Sequence, residues 1–349
     1  MLKNVSHKEN RTIYKPGTKI GNYVVVMLIG QGGYGDIYSV EKSGSDDGKL
    51  YALKFDSSEK QKTSLEVEVV IMNEIHDSYY FPKIIDSDKM ESQKYIVMEL
   101  FGASVSNTRR NCPRHCFSIG TVLRLGFYML KCIEDFHKHG FVHRDIKPGN
   151  FLLRDDPRCI LALIDFGLSR RYINRETGKP FPERKRCGFR GTLKYASPFT
   201  LENRDQCPRD DLFSWCYSLV ELAEGKLPWA HSSNVEEITM AKKSISPKNL
   251  LKSFPPELQL IYRYIIALDY ESVPNYDYIF QLIIQAIHEI KLDPKTPFEW
   301  ESFNESHIKS FSPIPNLPHA RYLELPPLFE VISTDGVERN SSFCVCNLI

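Results

Sequence analysis

Two short runs, His143-Arg144-Asp145-Ile146-Lys147-Pro148-Gly149-Asn150 and Asp165-Phe166-Gly167, constrain this chain more than anything else in it. Fifteen positions separate Asn150 from Asp165, and each run demands several fixed residue types at once. Moving a phosphoryl group onto a hydroxyl needs a carboxylate beside the attacking oxygen and oxygen ligands for a magnesium ion on the triphosphate. Asp145 can supply the first, and Asn150 and Asp165 the second. A fold that uses both runs must bring two loops to one cleft. The bland alternative is that these polar residues only satisfy loop backbone groups; it can account for one run, but poorly for both in order.

At 349 residues the chain is longer than one core of ordinary size, so two lobes or domains are expected. Hydrophobic content of 42% and charged content of 26% suit a soluble globular protein. A net charge of +1 argues against nucleic acid as a partner, and a monomer is expected. The start, Met1-Leu2-Lys3-Asn4-Val5-Ser6-His7-Lys8, has no apolar signal core, and Leu2 excludes N-myristoylation. No apolar run reaches the roughly 18 residues of a membrane helix, so a cytoplasmic location is expected. Nine scattered cysteines, an odd number, read as reduced thiols. Cys112-Pro113-Arg114-His115-Cys116 invites a zinc reading, but it has no second ligand pair at a useful distance and is assigned no metal.

Residues 1–20 are polar and read as an arm, mobile or ordered only on contact. From Gly21 the pattern is that of strands: Tyr23 to Ile29, Asp36 to Val40, Leu50 to Phe55 and Tyr95 to Leu100, with a turn cluster at Ser43 to Gly48. Leu65, Val69, Met72 and Ile75 recur at helical spacing. A small sheet with one helix therefore fits residues 21–100. After Gly102 the period becomes helical. Ser118 can cap a long helix through Gly140 with Val122, Leu125, Met129, Ile133 and Phe136 on one stripe. Further helices are expected over 211–224, 256–268 and 276–290. Prolines at 313, 315, 318, 326 and 327 forbid regular helix in a tail from about residue 304.

Gly30-Gln31-Gly32-Gly33-Tyr34-Gly35-Asp36-Ile37 fits G-x-G-x-x-G-x-V, with Ile37 for the valine. Alone this is weak, because dinucleotide-binding folds use the same glycines, and Asp56 stands 21 residues past Gly35 where a ribose-binding acid would sit. That fold needs a helix directly after the glycines. Here the alternating Asp36 to Val40 and a turn follow, so a hairpin bent over phosphates is expected instead. Ala52-Leu53-Lys54 then places a lysine on the next strand, where it can pair with phosphates. Such a lysine needs a carboxylate to hold it. Glu68, 14 residues on, is the choice, with Glu66 and Glu74 as rivals.

With these motifs in order, residues 21–303 resemble a eukaryotic protein kinase. The catalytic run through Phe151, the loop Gly191-Thr192-Leu193-Lys194-Tyr195-Ala196-Ser197, and Arg209-Asp210-Asp211-Leu212-Phe213-Ser214 are similar to the casein kinase 1 group. Gly188-Phe189-Arg190-Gly191-Thr192 and Leu123-Arg124-Leu125-Gly126 look most like its tau-tubulin kinase branch. The resemblance implies an α+β bilobal fold, with a small antiparallel-sheet N-lobe (21–100) carrying one helix and a larger, mainly helical C-lobe (103–303). It implies a serine/threonine kinase that uses ATP and Mg2+. Met98 would be the gatekeeper, the backbone of Glu99 and Phe101 would hold adenine, and Ile29 and Ile37 would sandwich it. Asp145 would position the substrate hydroxyl and accept its proton, and Lys147 would steady the transferring charge. Lys147 with Thr192 marks serine/threonine specificity. Departures fall in the substrate-facing loop: Lys194 replaces an arginine, Ser197-Pro198-Phe199 an ordinary polar continuation, and Leu201 a histidine. A pseudokinase scaffold is the alternative, although Lys54, Asp145 and Asp165 are all retained.

Between Leu168 and Lys194 nine basic residues face two acidic ones, a local charge of +7 in a chain of net +1. Charge runs are often only solvated faces, but this one lies where a kinase substrate would dock. Arg190 and Lys194 are therefore expected to receive acidic or already phosphorylated protein substrates through charge-assisted bonds. The last four residues, Cys346-Asn347-Leu348-Ile349, fit a prenylation signal, which would anchor the protein to a membrane through Cys346. No polybasic helper stands nearby to strengthen a single lipid chain.

Overall fold

β-Branched and aromatic residues in alternation build the first lobe. The computed structural model describes residues 13–32, 35–45, 47–56, 64–90, 93–156, 159–293 and 295–302. The expectations placed on Gly33, Tyr34, most of the N-terminal arm, the proline-containing tail and Cys346 fall outside these residues. Strands β1 (Lys19–Ile20), β2 (Tyr23–Gly32), β3 (Gly35–Lys42), β4 (Leu50–Phe55), β5 (Ile84–Met90) and β6 (Gln93–Glu99) form one antiparallel sheet in the order β1-β2-β3-β4-β6-β5. Among the described residues of this lobe one helix, α1 (Ser64–Glu74), sits between β4 and β5 in the chain. The hairpin β2–β3 closes with Gly32 opposite Gly35, and no helix follows the glycines. The dinucleotide-binding alternative is thereby removed.

Strand periodicity decides what faces the cleft. Tyr51, Leu53 and Phe55 pack with Ile20, Tyr23, Tyr38, Tyr95 and Val97 in an outer cluster. Ala52 lies on the other face, in the main core, and Lys54 shares that face by period two. The small lobe also starts earlier than Gly21. Ile20 is fully buried, Lys19–Ile20 pairs with Tyr23 and Val24, and the Tyr14 ring stacks on Phe55. The end of the expected arm nearest the sheet is thus ordered by contact with it.

The second lobe carries α2 (Val105–Asn111), α3 (Ile119–Lys138), the short strands β7 (Phe141–Val142), β8 (Phe151–Leu153), β9 (Leu161–Leu163) and β10 (Arg170–Arg171), then α4 (Pro198–Leu201), α5 (Pro208–Glu224), α6 (Val235–Ser244), α7 (Pro247–Leu250), α8 (Pro256–Ile266) and α9 (Tyr276–Glu289). Ser118 caps α3 by accepting from the Thr121 N–H at 3.4 Å, and its expected stripe is buried throughout. α5 begins at Pro208, three residues before the expected start. Proline at N1 lacks only an N–H that would be unsatisfied anyway, and Asp210 accepts from the Cys207 N–H at 2.9 Å. Strand β5 was not expected, because Ile84-Ile85-Asp86-Ser87-Asp88-Lys89-Met90 is a mostly exposed sheet edge whose polar content hides it.

Candidate active site

Lys54 reaches from β4 to two carboxylates on other elements. Its Nζ donates to Glu68 Oε2 on α1 at 2.6 Å and to Asp165 Oδ1 at 3.0 Å. Glu68 is therefore the partner of Lys54. Its rivals are engaged elsewhere: Glu66 with Lys94, and Glu74 with Arg171 and Arg175. Burial pulls the Lys54 pKa down, but the two carboxylates outweigh it and push the group up, so the ammonium is kept. Asp165 shows the converse. Burial opposes its charge, Lys54 restores it, and the net direction is downward. The arrangement is a largely buried triad of one lysine and two carboxyl groups, one of which projects from the run Asp165-Phe166-Gly167.

That run is held in an unusual backbone. Asp165 has φ +70°, a left-handed conformation rare for a residue with a side chain. Phe166, fully buried, stacks on Phe136 and meets Phe81 and His143 edge-on, which fixes the turn from below. Gly167 is required by crowding, since a Cβ there would lie 2.9 Å from Ser64 Cβ.

Asp145 is the centre of a second constellation. Lys147 Nζ donates to its Oδ2 at 2.5 Å and to Thr192 Oγ1 at 3.2 Å, while Thr192 Oγ1 donates to Asp145 Oδ1 at 2.7 Å. Asn150 Nδ2 donates to the Asp145 carbonyl at 2.9 Å, and the Asn150 carbonyl accepts from the Ile164 N–H at 3.0 Å. The second bond ties the catalytic loop to the residue just before Asp165, so the predicted metal ligands share one framework. Asn150 and Asp165 suit a hard cation that brings further oxygen ligands with it. Among the described residues no group of three or more His, Cys, Asp or Glu could hold a metal unaided.

The motif Arg209-Asp210-Asp211 also supplies a positioning residue. Asp211, buried at the start of α5, accepts from the N–H groups of His143 at 2.7 Å and Arg144 at 2.8 Å, and from His137 Nε2 at 2.9 Å. These bonds hold Arg144 at φ +68° and so aim Asp145. Burial works against the charge of Asp211, but its donors hold the carboxyl below its usual range. The available signal was an acidic pair opening an otherwise apolar helix.

The residues expected to cover a nucleotide lie on β2, β3, β4 and β6. Ile37 lies opposite Gly30, and Ile29 and Ile37 both pack on the main core. Gln31 pairs with Asp36, whose side chain is buried. Ala52 lies opposite Met98 in the β4–β6 register, and both are buried. The Glu99 N–H donates to the Lys83 carbonyl at 3.2 Å, so a purine contact from Glu99 is restricted to its carbonyl. The Phe101 ring is covered by the Arg154 guanidinium, 5.1 Å from its centroid.

The basic segment is less free than its sequence suggests. Arg170 and Arg184 both bond Asp205, Arg171 and Arg175 both bond Glu74, and Lys194 bonds Glu221. Lys194 is thus committed to an internal carboxylate that also takes the Tyr195 hydroxyl and Arg109, which corrects its assignment as an anion receptor. Arg190 is different. Its side chain is exposed, and with Arg144, Asp145, Thr192 and Gln206 it lines a shallow surface pocket. Burial, and then the charges of Arg190, Arg170 and Arg184, hold Arg144 down at about 10, the mark of a concentrated positive field.

Residues 23–281 match the protein kinase domain family. The chain is 35% identical over 283 residues to a probable serine/threonine-protein kinase of Dictyostelium discoideum, covering 80% of this chain and 57% of that relative. It is 29% identical over 287 residues to the serine/threonine-protein kinase spe-6 of Caenorhabditis elegans, covering 80% of this chain and 75% of the relative. It therefore spans little more than half the length of the first of these.

Proposed function

This chain belongs to the protein kinase domain family, and on that premise we propose that it is a serine/threonine protein kinase transferring the γ-phosphoryl of Mg-ATP to hydroxyls of protein substrates. One observation carries the proposal: Lys54–Glu68–Asp165 and Asp145–Lys147–Thr192 are both assembled, with Asn150 linking them through Ile164. Bound ATP with Mg2+ would supply the reactive phosphoryl group and neutralise its charge. Lys54 would orient the phosphates, and Asn150 and Asp165 would hold the metal. The Asp145 carboxylate would accept the proton of an incoming hydroxyl while Lys147 stays hydrogen-bonded alongside.

We place the chain in the casein kinase 1 group, nearest its tau-tubulin kinase branch. The support is the Gly191 to Ser197 loop, whose left-handed Gly191 (φ +110°) lies against the Arg144 carbonyl. Substrates acidic or phosphorylated near the target hydroxyl fit the field of Arg144 and Arg190; Lys194 adds little because Glu221 neutralises it. The test is labelling of casein by the purified full chain with Mg-ATP. Asp145→Asn should lower transfer by roughly 100- to 10,000-fold with nucleotide affinity unchanged. Nucleotide binding without any transfer by the natural chain would instead make it a scaffold.

A further inference from the structure

Lys242 is a buried basic side chain in the second lobe that the proposed chemistry leaves unexplained. It lies on α6 beside Lys243, which reaches an exposed partner in Glu202. Lys242 is instead 3% exposed and has no carboxylate within ion-pair reach among the described residues. Burial alone pulls its pKa down to about 7, so the fold holds this amino group at a cost. Its surroundings show what the group holds. Nζ donates to the Leu193 carbonyl at 2.9 Å and to the Ala196 carbonyl at 2.6 Å. The ammonium also lies 5.0 Å from the Trp229 ring centroid and 5.1 Å from that of Tyr217, close enough for cation–π attraction.

The same loop is pinned at each intervening carbonyl. Trp229 Nε1 donates to the Lys194 carbonyl at 2.8 Å and Ser214 Oγ to that of Tyr195 at 2.8 Å. All four carbonyls from Leu193 to Ala196 are therefore taken by side chains rising from beneath, two of them by Lys242. Directly before this stretch, Thr192 donates to Asp145. We propose that Lys242 is a positioning residue for the substrate-facing loop: its ammonium clamps residues 193–196 from below and so keeps that loop, and Thr192 with it, in the conformation that receives a protein substrate. The inference rests on the kinase reading of the site, and the tests separate the two.

Lys242→Met leaves two buried carbonyls without a donor. At roughly 1–3 kcal/mol for such a loss, the KM for a peptide substrate should rise about 10- to 100-fold, with the KM for ATP within about twofold of the natural chain. Lys242→Arg, which keeps a buried donor and charge, should recover most of that loss. Amide exchange of residues 193–197 gives a second readout that needs no turnover. Exchange should quicken about tenfold or more in Lys242→Met and return towards the natural rate in Lys242→Arg. Should Lys242→Met fail to fold, Trp229→Phe, which removes the bond to the Lys194 carbonyl and keeps an aromatic ring near Lys242, should shift peptide KM and exchange in the same direction by a smaller factor. An unchanged peptide KM and unchanged exchange in a folded Lys242→Met protein overturn the proposal. So does a shift of the ATP and peptide constants together, which marks a merely structural loss. If the natural chain transfers no phosphate at all, the kinase reading fails, and the exchange experiment still decides the clamp.

Discussion

Asp205 offers the sharpest test of how the segment between Asp165 and Thr192 is held. Its carboxylate is 1% exposed and accepts from Arg170 Nη1 at 2.6 and 2.7 Å, and from Arg184 at 2.9 and 2.8 Å through Nε and Nη2. The Gln206 N–H adds a further bond at 3.1 Å. Asp205→Asn keeps the shape, removes the charge and turns an amide donor towards a guanidinium. Breaking a fully buried pair costs about 3–5 kcal/mol. Arg184 is 48% exposed and Arg170 23%, so water recovers part of that loss, and about 2–3 kcal/mol is expected. In a domain of this size the melting temperature should fall by roughly 4–8 °C. The pH dependence follows from the direction of the shift. Burial opposes the charge, Arg184 and Arg170 outweigh it, and the folded carboxyl titrates well below its usual range. Its contribution is complete above the unfolded pKa of about 3.9 and is lost as pH falls towards the folded value. Calorimetry of both proteins should show a gap that is constant from about pH 8 to pH 5 and narrows only below about pH 4. A gap under about 1 °C, or one that closes between about pH 8 and pH 6, would refute the argument.

Gly191→Ala would place a Cβ 2.4 Å from the Arg144 carbonyl oxygen at a φ of +110°, so the loop must move and take Thr192 from Asp145. Peptide phosphorylation should fall by roughly 100-fold while nucleotide titration is unchanged. Glu68→Gln leaves Asp165 as the one carboxylate on Lys54, and the KM for ATP should rise about 10- to 100-fold in steady-state assays; an unchanged value would remove Glu68 from the site. Phe199→Ala strips the ring that the buried Arg209 guanidinium covers at 3.6 Å, and chemical denaturation should record a loss of about 2–4 kcal/mol.

Short-range patterns made much of this legible. The period-two run Leu50 to Phe55 already placed Ala52 and Lys54 on one face, and the turn after Gly35 already excluded a dinucleotide fold. The placement of Asp145, Asn150 and Asp165 in one framework was implied by two motifs that need each other. What the sequence could not reveal were partnerships between distant residues of ordinary type. Glu66, Glu68 and Glu74 are alike in composition, and only the packing of α1 turned Glu68 towards Lys54.

Residue type and spacing by themselves determined the two-lobed fold and singled out the residues proposed to move a phosphoryl group, because those depend on backbone periodicity and on fixed local motifs. Tertiary structure alone decided which charges remain free. Nine basic residues between Leu168 and Lys194 look equivalent in the chain, yet carboxylates contributed from positions 74, 205 and 221 neutralise five of them and leave Arg190 facing the cleft. Adjacent Lys242 and Lys243 divide in the same way, one buried beneath the substrate loop and one at the surface. The physical reason is that a charge is set by what the fold brings within a few ångströms of it, and sequence separation carries almost no information about that distance.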